Sequence, residues 1–327
     1  MNGTLAQDGV TNSATIGNVT AAVSSGKFFW LDLDDGDPAD SDAIDLLLNT
    51  FHYHPLAVED AEHFGQRPKL DDYDDFLYLV VHGASDDGST TEELHIFFSE
   101  KCVVSVHRGA CPAVEAARNR IGRHKASETA APQIVLVYLI VDALTDSFFP
   151  ILSAFDDQVD LLEDQILQQP TEEQLGQLFQ MKRTLLGIRK TVTPQRDVFA
   201  GFISGVIDVP GMTDESSRYF RDLYDHLIRI SDLIDSYRDL LSGVMDTHIS
   251  TVSNRLNVVM KQLAIIATIF LPLSFLTGFF GQNFSFLVGH IVGKWTFIGW
   301  GLGTELAAVI LLFTLFKRRG WLGGPSN

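Results

Sequence analysis

Apolar and polar residues alternate in three regimes along this chain. Between residues 27 and 130 short apolar runs are separated by turn residues. Lys27–Leu33, Phe76–Gly83, Glu93–Phe98 and Cys102–His107 have the length and the β-branched or aromatic content of strands. Ser41–Phe51 predicts a helix with Ser41 as its N-cap, and Pro112–Arg123 a second helix. These elements predict an α/β domain built on a mixed sheet.

From Pro132 the spacing becomes helical. Gln133–Gln168 predicts one long helix stopped by Pro170. Thr171-Glu172-Glu173-Gln174 is a capping box that opens a second helix to about Phe202, which Pro194 should kink or break near Val192–Thr193. Pro210-Gly211 predicts a turn, and Thr213 the cap of a third helix with no convincing stop before Gly278. Its apolar positions, Leu223, Leu227, Ile230, Ile234, Tyr237, Leu241 and Val244, recur every three or four residues. At 1.5 Å per residue such a helix of ~65 residues would be ~100 Å long. One small domain cannot bury it, so it is expected to pack on copies of itself.

In the last third, two stretches are long and apolar enough to cross a bilayer, and they are the only two expected to do so. They run from Gln262 to about Phe280 and from about Trp295 to Phe316. Each has about the 20 residues that a helix needs for ~30 Å of hydrocarbon. Their short connection opens with Gly281-Gln282-Asn283. A two-helix hairpin cannot enclose a wet path alone, so transport of anything polar would require several copies to pool their hairpins. The expected organisation is a disordered tail (1–26), an α/β cytoplasmic domain (27–130), a long helical hairpin (131–212), a stalk helix continuing into the first membrane helix (213–280), an outer loop (281–294), a second membrane helix (295–316) and a basic cytoplasmic tail (317–327).

Charge sharpens this division. The formal charge is −18, yet from Arg255 onward six basic residues face a single acid, Glu305, which leaves −23 on the first 254 residues. So acidic a region repels phosphates and excludes nucleic acid as a partner. It suits cations, although most surface acids serve solubility alone. Lys317-Arg318-Arg319 ends the second span and places the C-terminus on the cytoplasmic side of the cell (inner) membrane. Two spans then return the N-terminal region to the same side. Cys102 and Cys111 suggest no disulfide framework. The first 26 residues show no signal-peptide pattern. There is no P-loop, H-E-x-x-H or G-x-S-x-G, so nothing points to an enzyme.

The segment Asn257–Phe284, NVVMKQLAIIATIFLPLSFLTGFFGQNF, resembles the pore helix and signature loop of the CorA family of magnesium transporters. That family ends this helix with Tyr-Gly-Met-Asn. The corresponding residues here are Phe280-Gly281-Gln282-Asn283, a GQN variant of the GMN signature. His54-Pro-Leu-Ala-Val-Glu59-Asp60 with Gln66-Arg67-Pro68-Lys69, the acidic stretch Phe155–Asp160, and Tyr219–His226 are similar to further segments of the family, in the same order. The resemblance implies an α+β cytoplasmic funnel domain, a long stalk helix and two transmembrane helices, assembled as a membrane homopentamer around a pore for Mg²⁺. The transported ion and a regulatory ion would both be Mg²⁺, with Zn²⁺ or Co²⁺ as other candidates.

The residues suit those roles. Mg²⁺ gives up water reluctantly, so a pore should hold the hydrated ion through oxygen dipoles. A ring of Asn283 carboxamides would do this where a ring of carboxylates would release too slowly. Gly281 and Gly278 permit the tight turn and close helix approach. Asn257, Met260, Leu263, Ala267, Leu271, Ser274 and Gly278 share one face and would form a largely hydrophobic throat, with Asn257 at its cytoplasmic exit. Pro272 would bend the helix. The resemblance further implies that Mg²⁺ between neighbouring subunits closes the pore. It would sit at Asp60, facing Asp222 of the adjacent chain, supported by Glu59, Asp156 and Asp160. Asp225, Asp232, Asp239 and Asp246, seven residues apart, read as a solvated stripe.

Three features depart from the family pattern. Gln282 stands where the family has Met, the outer loop Phe284–Gly293 has no acid, and Glu305 lies in mid-span. They leave open a transporter of Zn²⁺ or another transition metal, similar to the related ZntB branch and proton-coupled through Glu305. They also leave open a membrane metal sensor that does not conduct. The spans themselves contain no His or Cys, the residues that Zn²⁺ prefers.

Overall fold

The computed structural model describes residues 2–34, 41–85, 91–121, 131–282, 284–290, 293–319 and 321. Asn283 and the side chain of Ser41 lie outside this set. The chain divides into two compact units, Met1–Met245 and Asp246–Asn327.

The first unit is built on a seven-stranded mixed sheet of order β2-β1-β3-β7-β6-β5-β4. Its strands are β1 (Asn2–Gln7), β2 (Val10–Ser13), β3 (Phe29–Asp34), β4 (Lys69–Asp72), β5 (Leu77–Ala84), β6 (Thr91–Phe98) and β7 (Cys102–His107). Only β3 and β7 pair in parallel. β5 is buried along its whole length, so its alternating residues feed two cores. Leu77, Leu79 and Val81 join a core shared with helices α4 (Pro112–Ile121), α5 (Pro132–Asp146), α6 (Phe148–Gln168), α7 (Glu172–Ser204) and the start of α8 (Ser217–Phe280). Tyr78 and Val80 join the other core, under α1 (Ile16–Ser25), α2 (Ser41–Asp45, continued by a π turn Leu46–Thr50) and α3 (Pro55–Glu62).

The first 26 residues correct the expected disordered tail: they form β1, β2 and α1. Asp8 and Gly9 take positive φ (51° and 81°) and turn the hairpin. β1 pairs with β3, and Leu5, Ala14, Val19 and Ala22 supply the few apolar anchors. Thr15 caps α1 through a reciprocal capping box with Asn18.

The expected helix Gln133–Gln168 breaks at Ser147. The Pro150 ring cannot accommodate the carbonyl of Asp146 in a continuous helix, so α6 restarts with Pro150 in its first turn. Ser147 is used twice, because its Oγ also accepts the N–H of Ala84 at 2.7 Å. A side chain at Gly83 would meet Leu144 Cδ2 at 2.7 Å, which is why α5 can lie this close to β5. By length and composition Pro132–Gln168 is a third candidate span, contrary to the expectation of only two. However, 61% of its most apolar window is buried inside the fold.

α7 runs through Pro194 without the expected break. The next residue, Gln195, is fully buried and fastened to β5. Its Oε1 accepts the His82 N–H at 2.8 Å, and its Nε2 donates to the His82 carbonyl at 3.2 Å. β4 stops opposite Leu77–Val80, so beyond it one side chain replaces a strand on the open edge of β5.

The apolar stripe of α8 is read correctly, but its partner is not. Leu223, Leu227, Ile230, Ile234, Tyr237, Leu241 and Val244 are all buried within the chain's own core, against α6 and α7, and not on copies of α8. Phe199, Phe202 and Phe220 stack at the top of this bundle, with centroids 4.7–6.1 Å apart. Thr213 Oγ1 accepts the Ser216 N–H at 3.1 Å just before α8 begins, as its capping role requires.

The second unit contains the rest of α8, a short helix α9 (Ser285–His290) and α10 (Lys294–Arg318), whose Phe297–Leu302 stretch is π-helical. The most apolar windows of α8 and α10 are 0% buried.

Candidate functional site

In the membrane unit, Asn257, Met260, Leu263, Ala267, Leu271, Ser274 and Gly278 are all exposed, Leu271 by 75%. The half-buried positions of the same stretch are Lys261, Ile265, Ile269, Pro272, Leu273, Leu276 and Phe280. At 3.6 residues per turn the two sets fall on roughly opposite faces. The residues expected to line a pore are thus all uncovered in a single chain, as are others around this stretch of α8. Pro272 sits inside a continuous α8 and offers no N–H to the Thr268 carbonyl. The helix closes through Gly281 N–H to Thr277 O (2.9 Å) and Gln282 N–H to Phe279 O (3.3 Å). A Cβ at Gly281 would come within 3.0 Å of the Thr277 carbonyl, so this turn favours glycine. Gln282 is exposed.

In the first unit, α3 carries Glu59, which is exposed, and Asp60, which is half-buried. Within one chain Asp60 pairs with Lys69 Nζ at 2.6 Å, and Lys69 also meets Asp71 at 2.6 Å. Burial works against the Lys69 charge, but the two carboxylates outweigh it and raise its pKa. Asp222 lies on α8 and accepts from the Tyr138 hydroxyl at 3.0 Å. Burial, then the field of Asp142 and the bond to Asp222, push that hydroxyl's pKa up, so it remains a donor.

Beside Asp222 is a group that the sequence reading missed. Asp142, Asp146 and His226 bring ligand atoms to within 4.8 Å of one another, and this is the only such trio among the described residues. His226 Nδ1 is 3.8 Å from Asp142 and 3.7 Å from Asp146, and its Nε2 is 3.9 Å from Asp222. Those gaps are too long for hydrogen bonds, and Nδ1 is buried without a partner. They suit two ligands of one ion, each ~2.1 Å from it. Arg120 holds the other oxygen of Asp142 at 2.6 Å. Burial and the neighbouring Asp142 raise the Asp146 pKa, a cost that a bound cation would relieve. The signal was present in the sequence as two pairs at i,i+4, Asp142/Asp146 and Asp222/His226. Asp156 and Asp160 are exposed on α6 and do not join this group. Asp156 instead acts on Tyr237, 15 residues beyond Asp222 and so ~22 Å further along α8.

The connection after α3 is tied to the sheet. Glu93 accepts from Gly65 N–H at 2.6 Å and Gln66 N–H at 3.0 Å, and His95 Nε2 lies 3.0 Å from it. Burial alone would raise the Glu93 pKa, but the His82 and His95 rings beside it and the bond from Gly65 N–H bring it well below the usual carboxylate range. Burial keeps Tyr78 protonated, so its hydroxyl donates to His95 Nδ1 at 2.6 Å, and burial lowers the His95 pKa. Both shifts act in one direction. Above ~pH 6.5 both contributions are present; below it the unfolded chain gains a proton that buried His95 refuses, and near ~pH 4.3 and lower the Glu93 contribution fades. His107 opposes them: burial lowers its pKa, yet Asp32 raises it further, so its contribution is lost as pH rises. Thermal melts of the full-length protein should therefore show Tm falling as pH drops below ~6.5. The fall should be shallower in His95→Phe, and an equal slope would contradict this assignment.

The CorA-like Mg²⁺ transporter protein family profile matches residues 25–318. This chain belongs to that family. It is similar to the "Putative metal ion transporter YfjQ" of Bacillus subtilis, at 34% identity over 300 residues, covering 90% of each chain. It is also similar to the "Cobalt/magnesium transport protein CorA" of Thermotoga maritima, at 33% identity, covering 86% of this chain and 80% of that protein. Among solved structures, the CorA magnesium transporter of Methanocaldococcus jannaschii shares the fold, with a TM-score of 0.81, 20% identity, and coverage of 98% of this chain and 99% of that one. The CorA-like architecture accounts for the soluble sheet domain, the long α8 and the two membrane helices.

Proposed function

We propose that this CorA-like chain is the subunit of a membrane channel that transports divalent metal ions, with Mg²⁺ as its principal cargo. The observation that carries the reading is the pair of unburied apolar helices at the end of a chain of this family. Copies assemble as a homopentamer in the lipid bilayer, with both termini cytoplasmic. The exposed face from Asn257 to Gly278 lines the pore, and Gly281, Gln282 and Asn283 form its mouth. The ion passes with its water, held by carboxamide oxygens.

Closure comes from cytoplasmic Mg²⁺ at the subunit interface. Asp60 and Glu59 of one chain face Asp222 of the next, and Asp142, Asp146 and His226 extend the site. An ion there removes the repulsion between carboxylates and holds neighbouring chains together. Asp156 and Asp160, exposed on α6, remain supporting candidates at the interface between chains. The imidazole of His226 also admits Co²⁺ or Zn²⁺ at this regulatory position.

The reading is tested by influx of Mg²⁺, Co²⁺ and Zn²⁺, one at a time, into proteoliposomes with a negative interior. Mg²⁺ entry is expected. Entry of Zn²⁺ without Mg²⁺ would replace Mg²⁺ as the cargo, and no entry of any ion would leave a sensor. The regulatory site has its own test. Metal at about 100 times Kd should stabilise the folded protein by about 2.7 kcal/mol. Asp146→Asn should lose most of the resulting Tm rise with every metal, and His226→Ala chiefly that with Co²⁺. Unchanged shifts in both variants would remove these residues from the site.

A further inference from the structure

The hairpin of β1 and β2 and the helices α4 and α5 leave a cavity of about 320 Å³ between them. Its floor is buried and apolar, formed by Trp30 of β3 with Leu136 and Leu139 of α5. Phe28 and Val135, both half-buried, form its walls. The sequence accounts for the space. Ala6 is paired with Trp30 across the β1–β3 ladder, and its methyl group cannot fill the room beside the indole as a larger side chain would. The volume lies at the small end of the range for ligand pockets, ~300–1,000 Å³, and apolar walls with few polar groups are typical of them. Residues 122–130, GRHKASETA, join α4 to α5 and contain no apolar side chain larger than that of alanine, so they are a poor source of an occupant.

Two charged residues line the cavity. Asp8, at the exposed rim, is paired with Lys27 Nζ at 2.7 Å. Arg118 is half-buried, with Cζ 5.4 Å from the centroid of the Trp30 ring. Its Nη2 donates to Thr4 Oγ1 at 2.7 Å and to Asp32 Oδ2 at 2.8 Å. No described residue accepts from Nη1, and Nε is buried without an acceptor. Asp32 does not depend on Arg118 alone. Its Oδ1 accepts from Ser105 Oγ at 2.6 Å and lies 3.4 Å from His107 Nε2. The indole is also fixed, because Trp30 Nε1–H donates to the same Ser105 Oγ at 2.9 Å. The guanidinium thus keeps spare donors beside an aromatic wall that is already locked in place.

A wholly apolar guest would leave those donors unmet. A polyanion would bring more charge than one guanidinium, already shared with Asp32, can offset. The complement is a single carboxylate on a flat apolar body. We propose that this cavity binds a small aromatic carboxylate, with its ring between Trp30 and the Leu136–Leu139 wall and its carboxylate on Arg118. The site belongs to the first unit and does not rest on the transport reading.

The test is isothermal titration of the full-length protein in lipid nanodiscs, with empty nanodiscs as the blank. The probes are 2-naphthoate and 2-naphthamide, which share a ring system and differ in charge. Naphthoate is expected to bind once per chain, and the amide about tenfold more weakly, as loss of a charged hydrogen bond requires. Arg118→Met should bring naphthoate down to the affinity of the amide and leave the amide unchanged. Val135→Phe fills the cavity from a half-buried wall and should abolish binding of both, with circular dichroism and the ligand-free melt showing that the variant is folded. Should Arg118→Met fail to fold, the two probes on wild type and the Val135→Phe variant still decide. No binding of naphthoate to wild type, or undiminished binding in folded Val135→Phe, would overturn the site. Equal affinity for acid and amide would overturn the part assigned to Arg118.

Discussion

Asn283→Ala abolishes Mg²⁺ influx while the assembly stays intact; this is the largest effect expected of any single substitution. The carboxamide is short, uncharged and accepts hydrogen bonds, so a ring of them can hold the water shell of a hard cation without stripping it. Alanine removes that ring of carboxamides and leaves the mouth only the longer, exposed side chain of Gln282. Gly281 and the Thr277 carbonyl show how tight the preceding turn is, and the substitution leaves that glycine in place. Size-exclusion profiles and thermal melts should match wild type, and influx should fall to the level of empty vesicles. Retained influx would remove Asn283 from the ion path.

Gln195→Leu carries the largest expected cost in stability. The substitution keeps the volume of the side chain but strands two buried backbone groups, the N–H and the carbonyl of His82. Each such group costs about 1–3 kcal/mol, so the loss should be about 2–6 kcal/mol. No other strand can replace the side chain, because β4 ends at Val80 of β5. Denaturant unfolding of the full-length protein in detergent checks this. A loss under about 1 kcal/mol would mean that water reaches the open edge of β5.

The contrast between these two positions shows what a sequence discloses. The apolar stretches and the stripe from Leu223 to Val244 are legible because burial imposes a period, whatever the partner. The partner itself is not, and the stripe is covered by α6 and α7 where copies of α8 were expected. Residues 2–25 read as disordered because an edge hairpin and one amphipathic helix need only Leu5, Ala14, Val19 and Ala22 as anchors. The Asp8-Gly9 turn was the available sign. Gln195 could not have been foreseen, since its role depends on where β4 stops. The acid site was half legible. Asp222 stands beside a ligand group, yet Asp142 and Asp146 lie in a helix whose apolar content masks them, while Asp156 and Asp160 are conspicuous and solvated.

The central claim is that identical hairpins surround one axis, with the Asn257–Gly278 face of α8 turned inward. Single-particle imaging of the full-length protein in a lipid nanodisc tests it most directly. The expected map is a ring of chains with Met260, Leu271 and Asn283 at the axis. A particle of one or two chains, or a ring whose Asn283 side chains point into lipid, would contradict the account.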